Sequence, residues 1–198
     1  MDTEVTEVNQ FAVIDWTAPI VPSTSLAGIP IGIDAGRLEN LLSRYRIEES
    51  VYQFVRSPVL ELKKSKSGDD EIYVFSVRDK ELTNWRTFYS SPDHPGVDPR
   101  ALGIVVRQGK VHAVKAWQFE SVKDEQKPVN VYQGRLPGQI GLGDQVSDLL
   151  AHASLNYDDA EGVLYTGPEY GGLEITGFGD LDEYPDQPIL AITVIPNL

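Results

Sequence analysis

Apolar residues recur along this chain with two periods. From Asp34, a residue type suited to an N-cap, the positions Ala35, Leu38, Leu41, Leu42 and Tyr45 fall on one face of a helix. Asp144 opens a second such run, with Val146, Leu149, Leu150 and Ala153 at i, i+3, i+4 and i+7. Glu39 falls on the polar side of the first helix, where substitution is expected to cost little. Elsewhere the period is two. Residues 103–107 and 110–117 alternate on either side of Gln108-Gly109, which reads as a hairpin turn. Phe11–Ile14, Val59–Leu62, Ile72–Val77 and Ile189–Ile195 read as further strands. The expected class is α+β, with two short helices packed on about eight antiparallel strands.

The order of these segments repeats. Leu26–Gly32 and Leu136–Gly143 are both apolar, glycine-punctuated stretches that lead into a helix. Downstream, Glu48–Phe54 resembles Asp159–Tyr165, Leu60-Glu61-Leu62 resembles Leu173-Glu174-Ile175, and Gly68-Asp69 resembles Gly179-Asp180. This predicts a duplicated unit of one short helix on antiparallel strands. The first copy then carries an inserted hairpin within 78–133. The expected divisions are an N-terminal arm and first strand (1–25), a first repeat (26–133) and a second repeat (134–198). Ser90–Pro99 suits neither helix nor strand, and Ser121–Pro128 reads as a charged connector open to proteolysis.

Charge changes the picture more than composition does. The 198 residues carry 17 Lys+Arg against 30 Asp+Glu, a net charge of −13, and no cysteine. Disulfides, thiolate metal sites and cysteine nucleophiles are therefore excluded. The acid is unevenly placed. Residues 134–198 hold one base, Arg135, against eleven carboxylates, net −10, while residues 1–133 are only at −3. Such a field disfavours nucleic acid and anionic lipid and steers basic partners. No apolar run approaches the ~20 residues of a membrane helix. The acidic start Met1–Glu7 is unlike a secretory signal, so a cytoplasmic location is expected.

Candidate chemistry is sparse. There is no Gly-x-Ser-x-Gly elbow, and Gly141-Leu142-Gly143 lacks the third glycine of a dinucleotide loop. Of the three histidines, only His94, between Asp93 and Asp98, suggests a ligand or base. Asp180–Asp186 partly matches a calcium loop but lacks its glycine and closing glutamate. The alternative function is thus a hydrolase or metal-dependent enzyme using the His94 loop or the Asp180–Asp186 carboxylates. Lys63-Lys64-Ser65-Lys66 reads as a hairpin tip whose charge Asp69-Asp70-Glu71 offsets, and Trp16, Trp85 and Trp117 read as core or sheet-face residues.

Leu136–Leu150, Asp158–Tyr165 and Gly172–Ile175 resemble segments of bacterial polymorphic-toxin immunity proteins. The tandem outline is similar to that of the β-lactamase inhibitory proteins, without their secretion signal and cysteines. The resemblance implies a cytoplasmic toxin inhibitor that is not an enzyme and needs no metal or cofactor. Its partner would be a cognate toxin domain, expected to be basic. The expected partner-binding residues are Asp158, Asp159, Asp180, Asp182, Glu183, Tyr184 and Asp186. Tyr184 supplies a rigid aromatic anchor, and Pro185 and Pro188 restrain the loop.

Overall fold

The computed structural model describes residues 12–79, 99–119 and 130–197. Phe11, Trp85, His94 and Ser121–Pro128 lie outside these residues, and Ala12–Ile14, expected to form the first strand with Phe11, are not in a strand. The elements before the main sheet are a small hairpin, β1 (Ser25–Leu26) and β2 (Ile29–Pro30), and the helix α1 (Ala35–Ser43). Six strands follow: β3 (Arg46–Glu48), β4 (Val51–Tyr52), β5 (Leu60–Ser67), β6 (Asp70–Val77), β7 (Arg100–Arg107) and β8 (Lys110–Trp117). A 3-10 helix (Val146–Ala151) then precedes β9 (Leu155–Asp158), β10 (Val163–Thr166), β11 (Leu173–Thr176) and β12 (Ala191–Val194).

The ten strands β3 to β12 form one sheet in the order β3-β4-β5-β6-β7-β8-β12-β11-β10-β9. Every neighbouring pair is antiparallel. The chain therefore meanders from β3 to β8, crosses to the opposite edge at β9, and meanders back until β12 lies beside β8. The fold is α+β and dominated by the sheet. The β7–β8 hairpin, expected as an insertion, occupies the middle of that sheet rather than its flank.

One face of the sheet carries the core. Tyr73, Phe75, Leu102, Ile104, Val114, Ile192 and Ile175 are all buried there under α1, the 3-10 helix and the segments leading to them. Trp16 anchors the cover: it is fully buried, stacks on Phe54 at 6.2 Å, and meets Tyr132 edge-on at 5.8 Å. Its Nε1 donates to the Asn130 carbonyl at 2.8 Å, so burying the indole leaves no orphaned donor. Val105 pairs with Ala113 but Val106 pairs with Val111, leaving His112 as an extra residue in β8. This bulge shifts the inward phase from Val111 to Val114.

Both glycine-punctuated lead-ins fold as tight apolar turns. Leu26 and Ile29 flank Ala27 (φ 53°) and Gly28 (φ 75°), while Leu136 and Ile140 flank Gly138 (φ 88°) and Gln139 (φ 65°). Gly28 has no alternative, since a Cβ there would lie 2.1 Å from the Val13 carbonyl oxygen. The two lead-ins then dock on the sheet alike. Gly32 N donates to Val111 O (2.8 Å), Val111 N to Ile33 O (2.9 Å), and Ala35 N to Gly109 O (2.8 Å). In the second half Gly143 N donates to Ile189 O (2.9 Å), Ile189 N to Asp144 O (2.8 Å), and Val146 N to Gln187 O (3.0 Å). Isolated bridges join Asp34 to Lys110 and Gln145 to Pro188 at the same steps.

The helices need correction in detail. Asp34 sits at the N-cap of α1 without a side-chain capping bond. The second helix is 3-10, so its apolar stripe repeats every three residues: Val146 and Leu149 are buried, whereas Leu150 is 55% exposed. Asp144 does not cap it. Its carboxylate instead accepts from Gly141 N (2.8 Å) and pairs with Arg135, closing the preceding turn. Glu39 is not a bland surface residue either, because it accepts from Lys64 Nζ (2.6 Å) and from the Tyr73 hydroxyl (2.7 Å).

Candidate functional site: an acidic end of the sheet

Because β9, β10 and β11 alternate in direction, the C-terminal ends of β9 and β11 lie at one end of the sheet. That topology brings together two acidic stretches separated in sequence, the β9–β10 turn and the β11–β12 loop. Tyr157 of β9 marks the approach. A Cβ at Gly179 in the β11–β12 loop would lie 3.9 Å from the Tyr157 hydroxyl.

The seven expected residues divide by role. Asp158 builds its own turn, its Oδ1 accepting from Ala160 N (2.9 Å) and Glu161 N (3.2 Å). Asp180 does the same in the loop. Its Oδ1 accepts from Asp182 N (2.9 Å), and its carbonyl accepts from Glu183 N (3.2 Å) and Tyr184 N (2.9 Å). These are Asx-type turns that set backbone shape. Asp159, Asp182, Glu183, Tyr184 and Asp186 are exposed and point their charge or ring outward. Among the described residues no group of three His, Asp or Glu side chains is placed to hold a metal ion.

Two residues of this end escape sequence reasoning. Phe178 is 60% exposed and meets Tyr184, 45% exposed, edge-on at 6.3 Å. A solvent-facing aromatic pair beside carboxylates is unusual for surface that stays wet. Gln187, only 2% exposed, fixes the loop that presents the pair. Its Nε2 donates to Gly179 O (2.8 Å), and its Oε1 accepts from Gly179 N (3.1 Å) and from Phe178 N. Gly177 permits this, since a Cβ there would fall 2.0 Å from the Gln187 Oε1. The motif Gly177-Phe178-Gly179 carried the only sequence signal: an aromatic held between two glycines.

No described helix is long and apolar enough to cross a membrane. No protein-family model matches the chain, and no curated protein matches it. A structural neighbour is a cysteine-rich secretory protein from Staphylococcus aureus, with a TM-score of 0.32 and 13% identity over 94% of this chain. The chain spans about half of that protein's length, 51%.

Proposed function

We propose that this protein is an immunity-type inhibitor: a cytoplasmic, non-enzymatic protein that binds a basic toxin domain through the acidic sheet end and blocks it. The observation that carries the reading is the Gln187-braced β11–β12 loop, which carries the Phe178–Tyr184 pair next to Asp182, Glu183 and Asp186, with Asp159 at the same end of the sheet. Aromatic anchors supply desolvated contact area, and rim carboxylates supply steering and register. The Gln187 bonds hold the loop in place before binding, which lowers the entropy lost on association. We further read the chain as a tandem duplication. The matched docking bonds of the two lead-ins support it in a shifted form: β9–β12 answer β5–β8, so that β11 matches β7 instead of Leu60–Leu62, and β3–β4, not the β7–β8 hairpin, are the addition to the first copy.

The test uses the full chain as bait in a lysate of its source organism, beside Phe178→Ala and Asp182→Lys/Glu183→Lys baits. The wild type should retain a basic protein whose enzymatic activity it suppresses when mixed stoichiometrically. Both variants should lose it. A partner that is acidic, or that stays active when bound, would refute the inhibitor reading.

A further inference from the structure

The face of the sheet opposite the core holds a groove of about 650 Å³, a volume within the range of small-molecule sites. Its floor follows one cross-strand register. Val74 pairs with Gly103, Gly103 with Lys115, Lys115 with Thr193, Thr193 with Glu174, and Glu174 with Tyr165. Residues in such a row share one face, about 4.8 Å apart from strand to strand. The row thus reads, from one side to the other: apolar, open, cation, hydroxyl, anion, aromatic.

Three features of this row are unfinished. Thr193 is 3% exposed, and its Oγ1, closed to solvent, has no hydrogen-bond partner among the described residues. A buried hydroxyl left unpaired is costly and calls for an explanation. Lys115 and Glu174, on either side of it, form no ion pair with each other, and among the described residues the lysine Nζ has one hydrogen-bond partner, the Thr176 Oγ1 at 3.5 Å. Burial pulls Lys115 below the ordinary lysine range, with Glu174 pulling it back and Arg100 opposing it. Finally, the Trp117 indole lies over Gly103, where a Cβ would come within 2.6 Å of the ring. The missing side chain at Gly103 makes room for the indole beside the strand, with the Lys115 Nζ 5.5 Å from the ring centre.

We propose that this groove binds a small zwitterion with an apolar body, an amino acid being the simplest member of the class. Its carboxylate lies against Lys115, its ammonium faces Glu174, and its side chain packs on Trp117, Val74 and Val105. Other charge in the groove is already spent in part, since Arg107 holds Asp70 at 2.7 Å. The acidic sheet end is not needed for this site, so the two readings stand or fall separately.

Isothermal titration of the full chain with three indoles that share one body tests it. L-Tryptophan carries both charges, indole-3-propionate only the anion, and tryptamine only the cation. Tryptophan should bind at least about tenfold tighter than either analogue. Lys115→Met should cost tryptophan about tenfold and leave tryptamine unchanged, and Glu174→Gln should spare indole-3-propionate. Circular dichroism checks that both variants fold, and the three-ligand comparison on wild type needs no variant. Indole-3-propionate or tryptamine binding as tightly as tryptophan would overturn the proposal. So would the absence of heat with both L-tryptophan and L-leucine at millimolar concentration.

Discussion

Glu39 shows how a single carboxylate can join three elements. It stands on α1, yet its oxygen receives Lys64 from β5 and the hydroxyl of buried Tyr73 from β6. Burial pushes its pKa up, but these two donors outweigh burial and hold it below the ordinary glutamate value. A charged hydrogen bond of this kind, discounted for a side chain 44% exposed, is worth about 1 kcal/mol. Glu39→Ala should therefore lower stability by about that amount in urea titration, and by less in a Tyr73→Phe background. Equal losses in both backgrounds would show that Lys64 alone matters. Asp15 gives the corresponding pH effect. The hydrogen bond from Arg56 lowers its pKa and outweighs the upward pull of burial, helped by Thr17. A depressed carboxylate contributes stability above its unfolded value, and that contribution is lost as pH falls through the folded one. Between pH 5 and pH 2.5 the wild type should lose more stability than Asp15→Asn, measured as the shift in urea midpoint.

At the scale of elements, packing explains more than local propensity does. Leu41 of α1 and Leu149 of the 3-10 helix are 5% and 0% exposed. Each truncation to alanine should cost about 2–5 kcal/mol, because a cavity adds to the lost transfer energy. Leu150→Ala, one residue along, should leave the denaturation midpoint nearly unchanged, and a large loss there would contradict the 3-10 phase. Which elements were legible follows from their length. The eight-residue strands β6, β7 and β8 offer enough alternation to be read, whereas β5 was legible only at its start: beyond Leu62 it is exposed on both faces, so Lys63–Lys66 read as a hairpin tip although the strand continues to Ser67. Strands of two to four residues such as β3, β4 and β9 offer one or two side chains per face, too few for a period to show. The α/3-10 choice was hidden because Val146, Leu149 and Ala153 suit either helix until Leu150 is placed. The bulge at His112 was hidden as well, since alternation on both sides of it looks continuous in sequence. The acidic site was half legible. Composition marked the carboxylates, but only the antiparallel return of β10 and β11 brings Asp159 to the end that carries Asp182. Lys115 and Thr193, far apart in sequence, became neighbours only through the β8–β12 pairing.

At the scale of the whole molecule, the question is whether the charge of −13 acts as a general field or through one place. Geometry separates the two. The β5–β6 turn at Gly68-Asp69 lies at the opposite end of the sheet from Asp182 and Glu183, and four strands stand between β6 and β10. That spacing exceeds two Debye lengths, each about 8 Å at physiological salt. Lysines placed at the two ends thus change net charge equally but reach a docked partner very differently. Asp182→Lys/Glu183→Lys should slow association with the captured partner by about tenfold or more and flatten its dependence on ionic strength, because rim charges act chiefly on the on-rate. Glu49→Lys/Asp69→Lys, with the same change in net charge, should alter the rate far less. Both pairs are solvent-exposed, so stability should move by less than about 0.5 kcal/mol per residue. Stopped-flow association at two ionic strengths reads the difference. If both variants slow association alike, the acid acts as a diffuse field. If neither does, the interface lies elsewhere, and the sheet face around Trp117 is the next surface to mutate.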